Sequence, residues 1–451
     1  MIANLIALAV RARWAVLFIF LAIAGIGIWQ LTKLPVDAVP DITNNQVQIN
    51  TVDRRLSPVE MEKLVTYPIE TALAGIPGLE TTRSISRNGF SQVSAIFSEG
   101  TDLYFARQQV GERLTQARDT LPDGVQPQIG PVTTGLGEIV MYTVRYANPG
   151  GKGARIARGQ PGWQSDRSYL TPEGDRLTNE VEQAGYLRTV QDWIVRPQLR
   201  SVPGVAGVDS IGGYAKTFVV EPDPVKLATY GISYSELGEA LENANLAVGA
   251  NYYNRGGEGY LVRLDARVRS VDEIKNAVAA TRGGVPITVG QIANVESGGD
   301  LRTGGGSVNG KEAVIGTVLM LIGQNSRIVA QDVATKLDQI AKTLPPGVEV
   351  GVVLDRAKLV NATVATVERN LTEGAILVAV ALFLLLGNWR AALIAVLVIP
   401  FSFLMMAMGM NAFRVPGNLM SLGALDFGLI VDGAVIIIEN CLSRLAHRQE
   451  H

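Results

Sequence analysis

The 451-residue chain has a single cysteine, Cys441, and two histidines, His447 and His451, all within its last eleven residues. One thiol excludes an internal disulfide framework. The lack of histidine elsewhere excludes a His-rich metal site and a Ser-His-Asp triad from the body of the chain. Any metal bound there must use carboxylates, methionine sulfur or backbone. Net charge is nearly absent too, at −2, which removes the basic footprint of a nucleic-acid binder. Charged residues make up 18% and apolar residues 47%, and mean hydropathy is positive. That is high for a soluble protein and low for one made mostly of membrane spans. The balance fits a few spans and a large aqueous portion.

Long apolar runs are few and unevenly placed. The first, Trp14 to Leu31, carries Trp14 and Trp29 near its ends, as an aromatic belt does, and follows Arg11 and Arg13. It is long for a signal-peptide core, and the following LTKLPVDAVPD lacks a small-x-small cleavage site. An uncleaved anchor is therefore expected, with residues 1–34 forming a cytoplasmic N-terminus and first transmembrane helix. The other runs cluster near the far end: a second span at 371–387, a third at 391–411 and a fourth at 419–440. Arg390 marks the turn between the second and third spans, and Arg444 and Arg448 follow the fourth. The positive-inside rule then puts both termini and that turn in the cytoplasm, with Arg414 as a minor exception, and the loop 35–370 outside.

The fourth run, LMSLGALDFGLIVDGAVIIIEN (Leu419 to Asn440), contains three carboxylates, Asp426, Asp432 and Glu439. Each ionisable group inside a span costs roughly 2.5–3.5 kcal/mol on the insertion scale, so such groups are read first as a proton or ion pathway. Asp432 and Glu439 are seven residues apart and share nearly one helix face, with Asp426 about a third of a turn away. A headgroup position for Glu439, leaving the two aspartates as the buried pair, fits the same spacing.

The outer loop is not low-complexity. Ser57-Pro58-Val59-Glu60 is a capping-box pattern that opens a helix running to about Ala74. The alternating FSQVSAIF, Phe90 to Phe97, predicts a strand, and Leu103 to Arg118 a second helix. The unit recurs. IPGLETTRSI (Ile76–Ile85) resembles VPGVAGVDSI (Val202–Ile211), and DTLPDGVQ (Asp119–Gln126) resembles KTLPPGVE (Lys342–Glu349). Such wide spacing indicates duplicated α+β subdomains rather than a solenoid. Asn148 to Gln183, rich in Gly and Arg, reads as a surface insertion, and Asn243 to Val262 as a hairpin with an Arg-Gly-Gly tip. The DFG at Asp426 lacks the Gly-rich loop and catalytic-loop Asn of a kinase, and GGYAKT (Gly212–Thr217) lacks P-loop spacing. Met405, Met406, Met408, Met410 and Met420 read as packing residues in and after the third span, although thioether sulfur also suits copper(I).

One span, a large duplicated loop and closely spaced spans with acids in the fourth resemble the resistance-nodulation-division (RND) exporters, and within them the heavy-metal efflux branch. LPVDAVPDITNNQVQI (Leu34–Ile49) is similar to that branch's opening after the first span. DFGLIVDGAVIIIEN (Asp426–Asn440) is similar to its fourth-span signature, with Ile438 in place of Val. TTGLGEI (Thr133–Ile139) and QDWIVRPQLRSVPGV (Gln191–Val205) match as well. The resemblance implies an α-helical membrane protein with a large periplasmic α+β portion, its four transmembrane helices being half of the RND fold. Ferredoxin-like βαβ porter subdomains are implied at 35–135 and at 136–209 with 304–370, the insertion at about 148–183 lying in the second. A docking subdomain is implied at 210–303, its hairpin reaching a neighbour in a homotrimer.

What the resemblance implies for function is a secondary transporter rather than an enzyme, a proton/cation antiporter of the bacterial inner membrane with a proton relay at Asp426, Asp432 and Glu439. The two-aspartate pattern is that of the divalent-cation members, so zinc, cobalt and cadmium are the expected cargo, with nickel also admitted, and no other cofactor. Glu138 and Asp192 stand in matching stretches as candidate metal ligands; surface or capping roles suit them equally. The implied partners are a periplasmic membrane-fusion adaptor and an outer-membrane channel. The family's full chain has two homologous halves and twelve spans. Residues 441–451 follow the fourth span as a cytoplasmic end, so the chain reads as an N-terminal half, either a fragment or one member of a split pair, or as a truncated product that only binds other subunits. An RND exporter of organic substrates is the third reading, weakened by the LPVDAVPDIT and DFG-x3-DGA motifs.

Overall fold

The computed structural model describes residues 11–34, 36–37, 41–265, 267–300, 302, 304–386, 389–413, 415, 417–418, 433, 436–438 and 440–441. Helix α1, Arg13–Lys33, is apolar all round and buries only Gly27. Trp14 and Phe18 are about three-quarters exposed on it, a surface that needs lipid or partner helices to cover it.

Strand β1, Asn45–Val52, opens the first α+β unit. Its buried residues alternate, Val47, Ile49 and Thr51, as a strand packed on one face requires. The predicted capping box forms at Ser57 and Glu60. The helix that it opens, α2, comes in three pieces: Pro58–Met61, a π-helical turn Glu62–Thr66, and Tyr67–Leu73. The π turn has a local cause. Pro68 lacks an N–H and its ring would strike the carbonyl of Leu64, so the helix widens just before it. Strands β2 (Leu79–Arg87) and β3 (Phe90–Phe97), helix α3 (Leu103–Ala117) and β4 (Gln128–Ile129) complete a sheet of order β2-β3-β1-β4. Helix α3 turns Ala106, Val110, Leu114 and Ala117 into the core, three to four residues apart along one stripe.

The second unit starts at β5, Glu138–Tyr146. The 148–183 segment follows as a folded flap of three short strands, β6 (Gly162–Trp163), β7 (Tyr169–Leu170) and β8 (Arg176–Leu177). It is less superficial than its Gly/Arg content predicts. Trp163 and Tyr169 are buried against Tyr146 of β5, and the Tyr169 hydroxyl donates to the Pro346 carbonyl at 2.8 Å. Helix α4 repeats the broken pattern of α2, with Glu180–Val190, a π turn Gln191–Val195 and Arg196–Arg200, again next to a proline, Pro197. Strand β9, Val205–Ile211, follows.

A smaller unit intervenes before the chain returns. It contains β10 (Lys216–Pro222), α5 (Pro224–Tyr230), α6 (Tyr234–Asn243), the hairpin β11 (Ala247–Arg255) and β12 (Glu258–Asp265), α7 (Val271–Asn276), β13 (Val278–Arg282), β14 (Val285–Thr288), α8 (Val289–Ile292) and β15 (Ala293–Gly299). Its own core gathers Leu227, Leu237, Ile274, Ile287, Val289 and Ile292. The hairpin turns at Gly256 and Gly257, both with positive φ, within the Arg-Gly-Gly tip. The return brings β16 (Gly306–Val308), β17 (Lys311–Met320), α9 (Ser326–Ala341) and β18 (Val348–Asp355). Strand β17 pairs with β5 on one side and with β9 and β16 on the other, and β18 flanks β5. The core of this sheet is therefore built from both arms of the chain.

Helix α10, Arg356–Leu386, follows β18 with no intervening loop, and α11 spans Trp389–Ala412. Residues 371–386 of the expected second span are the C-terminal part of a helix that begins fifteen residues earlier. Among the described residues, two helices are long and apolar enough to cross a membrane, Arg13–Lys33 and Ala392–Ala412. Helix α11 packs on α1 where Gly27 meets Leu404, Phe20 stacks on Phe401 at 4.2 Å, and the Asn411 amide donates to Gln30.

Candidate functional site

The three carboxylates expected to form a relay, Asp426, Asp432 and Glu439, lie outside the described residues. Their surroundings are partly defined. Gly433, Ile436 to Ile438, Asn440 and Cys441 are helical, and Ile438 packs against the cluster of Ala392 and Ile399 on α11, which Ala375 and Val378 of α10 also cover. The end of the acidic segment thus lies against α11.

Asp192 lies in the π turn of α4, within a polar network. Its carboxylate accepts from Arg188 Nε at 2.6 Å and from Ser210 Oγ at 2.9 Å, with Arg196 Nη1 at 3.7 Å. Gln191 Nε2 extends the chain, donating to Ser210 Oγ at 3.1 Å and to the Tyr142 hydroxyl at 2.9 Å. Tyr142 and Gln191 are both fully buried, and burial pushes the Tyr142 phenol well above its ordinary value. It therefore stays protonated and donates in its turn. The ring fits because β17 offers glycine opposite it: a Cβ on Gly316 would meet Tyr142 Cζ at 2.2 Å. Two guanidinium groups hold Asp192 as an ion-pair partner. For it to ligate a cation, one of them must turn away.

Glu138, the first residue of β5, is exposed and has no hydrogen-bond or ion-pair partner among the described residues. It stands four residues before Tyr142, about 13 Å along the strand, so the network around Asp192 does not reach it. Among the described residues no group of three or more His, Cys, Asp or Glu side chains is placed to hold a metal ion.

What the structure does bring together is a junction at the foot of the porter sheets, in the stretches containing LPVDAVPDIT and TTGLGEI. Arg356, the first residue of α10, keeps only 10% of its side chain exposed. Its Nε and Nη2 face Asp37 Oδ1 at 3.0 and 2.9 Å, and its Nη1 donates to the Leu136 carbonyl at 2.8 Å. Asp37 in turn donates its amide to the Gly417 carbonyl at 2.9 Å, beside a parallel bridge between Val36 and Gly417. One guanidinium thereby ties the exit of α1, the start of α10 and the strand leading to Glu138, and Asp37 adds the segment that leads toward the fourth span. Two further contacts lie alongside. The Gly135 amide donates to Thr43 Oγ1 at 3.1 Å, and the Thr43 amide to Asp41 Oδ1 at 3.0 Å. Partial burial pushes the Asp41 carboxyl up. Hydrogen bonds from Thr134 and Thr43 and the Arg356 charge outweigh it and hold the group below its ordinary value.

TTGLGEI needs its second glycine for space: a Cβ on Gly137 would lie 1.9 Å from Thr133 Oγ1. The Gly137 carbonyl accepts from the Met320 amide at 2.8 Å, which anchors the motif to the end of β17. Sequence reasoning singled out both motifs but not Arg356. The available signal was an arginine on the porter side of an apolar helix and an aspartate just past another.

Comparison with known proteins places this geometry. The sequence profile of the AcrB/AcrD/AcrF family matches residues 5–451. The chain is 64% identical over its whole length to the nickel-cobalt-cadmium resistance protein NccA of Alcaligenes xylosoxydans xylosoxydans, covering 42% of that protein. It is 63% identical to the nickel and cobalt resistance protein CnrA of Cupriavidus metallidurans, again covering 42%. It is 50% identical to the cobalt-zinc-cadmium resistance protein CzcA of the same organism, covering 40%. The chain thus spans less than half the length of these relatives. A crystal structure of a heavy metal efflux pump superposes over 98% of the chain and 41% of the pump, with a TM-score of 0.82 at 33% identity.

Proposed function

As the chain belongs to the AcrB/AcrD/AcrF family of RND transporters, corresponding to the N-terminal half of its heavy-metal efflux members, we propose that it is half of a proton-driven exporter of divalent heavy-metal cations in the bacterial inner membrane. The observation that carries this is the acidic fourth run, Asp426 to Asn440, in a chain nearly two-thirds identical to NccA and CnrA. Both names carry nickel and cobalt, and the first also cadmium, which moves nickel forward from the zinc, cobalt and cadmium that the motif alone favours. Carboxylates suit such borderline ions.

In this reading Asp426, Asp432 and Glu439 cycle between protonated and ionised forms. Protonation removes a charge from the span and lets its helix repack. Each proton moving inward supplies roughly 2.3 kcal/mol per 100 mV. Glu138 and Asp192 contribute to a cation path on the porter side, Asp192 after release from Arg188 or Arg196. The other half supplies further ligands and the basic partner of the relay, and the working assembly is a homotrimer with a periplasmic adaptor and an outer-membrane channel.

The test is metal tolerance in an efflux-deficient bacterium expressing this chain with the C-terminal half of a relative. Restored nickel and cobalt tolerance, lost on Asp432→Asn, is the expected result. No rescue with both halves inserted in the membrane contradicts the reading and favours a product that only binds other subunits.

A further inference from the structure

We propose that Arg356 is a positioning residue that transmits movement of the fourth-span segment to the porter strand carrying Glu138. The inference rests on the transport reading above and adds the element through which its two ends communicate. The argument is geometric. The carboxylates of the proposed relay and the candidate cation ligands lie more than two hundred residues apart in the chain, so their coupling needs a physical connection with discrete arrangements. The chain offers a short one. Gly417 lies nine residues before Asp426 and is bonded through its carbonyl to the Asp37 amide. The Asp37 carboxylate holds one edge of the Arg356 guanidinium, and another N–H of that group holds the Leu136 carbonyl, two residues before Glu138. Arg356 is also the first residue of α10, and Ala375 and Val378 of that helix share with Ile438 of the acidic segment the cluster around Ala392 and Ile399. The junction is therefore joined directly to the stretch that leads into that segment, and to Ile438 through the cluster that α10 shares with it.

The chemistry requires arginine. A planar guanidinium presents separate N–H edges and satisfies a carboxylate and a carbonyl at once, whereas an ammonium is a single point of charge on a flexible stem. Arg356→Lys thus keeps the charge and loses the bridge. Because the side chain is nine-tenths buried, the bridge persists only while both acceptors stay in place. Displacement of Gly417 and Asp37 is passed to Leu136 or breaks the link.

The test combines two readouts. In lipid nanodiscs holding the chain alone, amide hydrogen exchange at Asp37, Leu136 and Gly137 is expected to quicken at least tenfold in both Arg356→Gln and Arg356→Lys, with the docking unit around Leu227 and Ile292 unchanged. In the two-half transporter, Arg356→Gln is expected to cut maximal metal flux at least tenfold with the half-saturating metal concentration unchanged. Asp37→Asn is expected to do the same, and the double variant to be no worse than either single one, as for residues acting as a unit. Unchanged exchange at Asp37 and Gly137, or additive losses with a raised half-saturating concentration, overturns the proposal. A wild-type pair that moves no metal refutes the transport reading instead, and the exchange measurement still decides whether the bridge exists.

Discussion

At the scale of single residues, the junction depends on small side chains and short polar contacts. Gly137 lacks room for a methyl group beside Thr133. Overpacking of this kind costs about 1–3 kcal/mol, so Gly137→Ala is expected to lower stability by that order, read as an earlier unfolding midpoint with Thr133→Ala restoring part of it. Asp41 gives a pH prediction. Its pKa is held below the ordinary 3.8, so its contribution is fully present above that value and lost as pH falls through the lower, folded one. Asp41→Asn is accordingly expected to speed exchange of the Gly135 amide at pH 7, and the difference from the parent chain is expected to shrink as acid protonates Asp41. Legibility ends at this scale. LPVDAVPDIT and TTGLGEI are distinctive as strings, yet nothing in either string says that they meet, because Arg356 joins them across 319 and 220 residues of chain.

At the scale of elements, the sequence is most transparent where local rules act alone. The Ser57–Glu60 capping box forms, and the strand at Phe90–Phe97 has the predicted ends. It is least transparent where tertiary packing decides. The π turns of α2 and α4 follow from Pro68 and Pro197, but proline only says that the helix must adjust, not that it widens. The flap holding Trp163 and Tyr169 reads as a surface segment because Gly and Arg outnumber the two aromatics that bury it. In the membrane group, Gly27 sets the approach of α1 to α11, since a Cβ there would lie 2.7 Å from Leu404 Cβ. Small residues at such contacts let helix backbones come close. Gly27→Leu is expected to separate the pair. Disulfide formation between Gln30→Cys and Asn411→Cys, in a Cys441→Ser background, should fall several-fold.

At the scale of the whole molecule, the duplication visible in the paired PG motifs and TLP motifs corresponds to two sheets of matching order. In both, the strand that follows the PG motif lies at one side (β2 and β9), next to the strand that pairs it to the first strand of the unit (β3 to β1, and β17 to β5). The second sheet closes only after the chain has built an entire further unit, which a local pattern does not reveal. The acidic run is read from its chemistry alone, since Asp426, Asp432 and Glu439 lie outside the described residues, and in the proposed reading a relay is defined by what faces its carboxylates. The central claim is that metal leaves in exchange for protons through Asp432. Its most direct test is proteoliposomes holding both halves, loaded with nickel and a pH-sensitive dye, with an imposed proton gradient. The account predicts nickel movement accompanied by opposing proton flux, both lost in Asp432→Asn. Nickel movement that continues without proton flux, or survives that substitution, would contradict it.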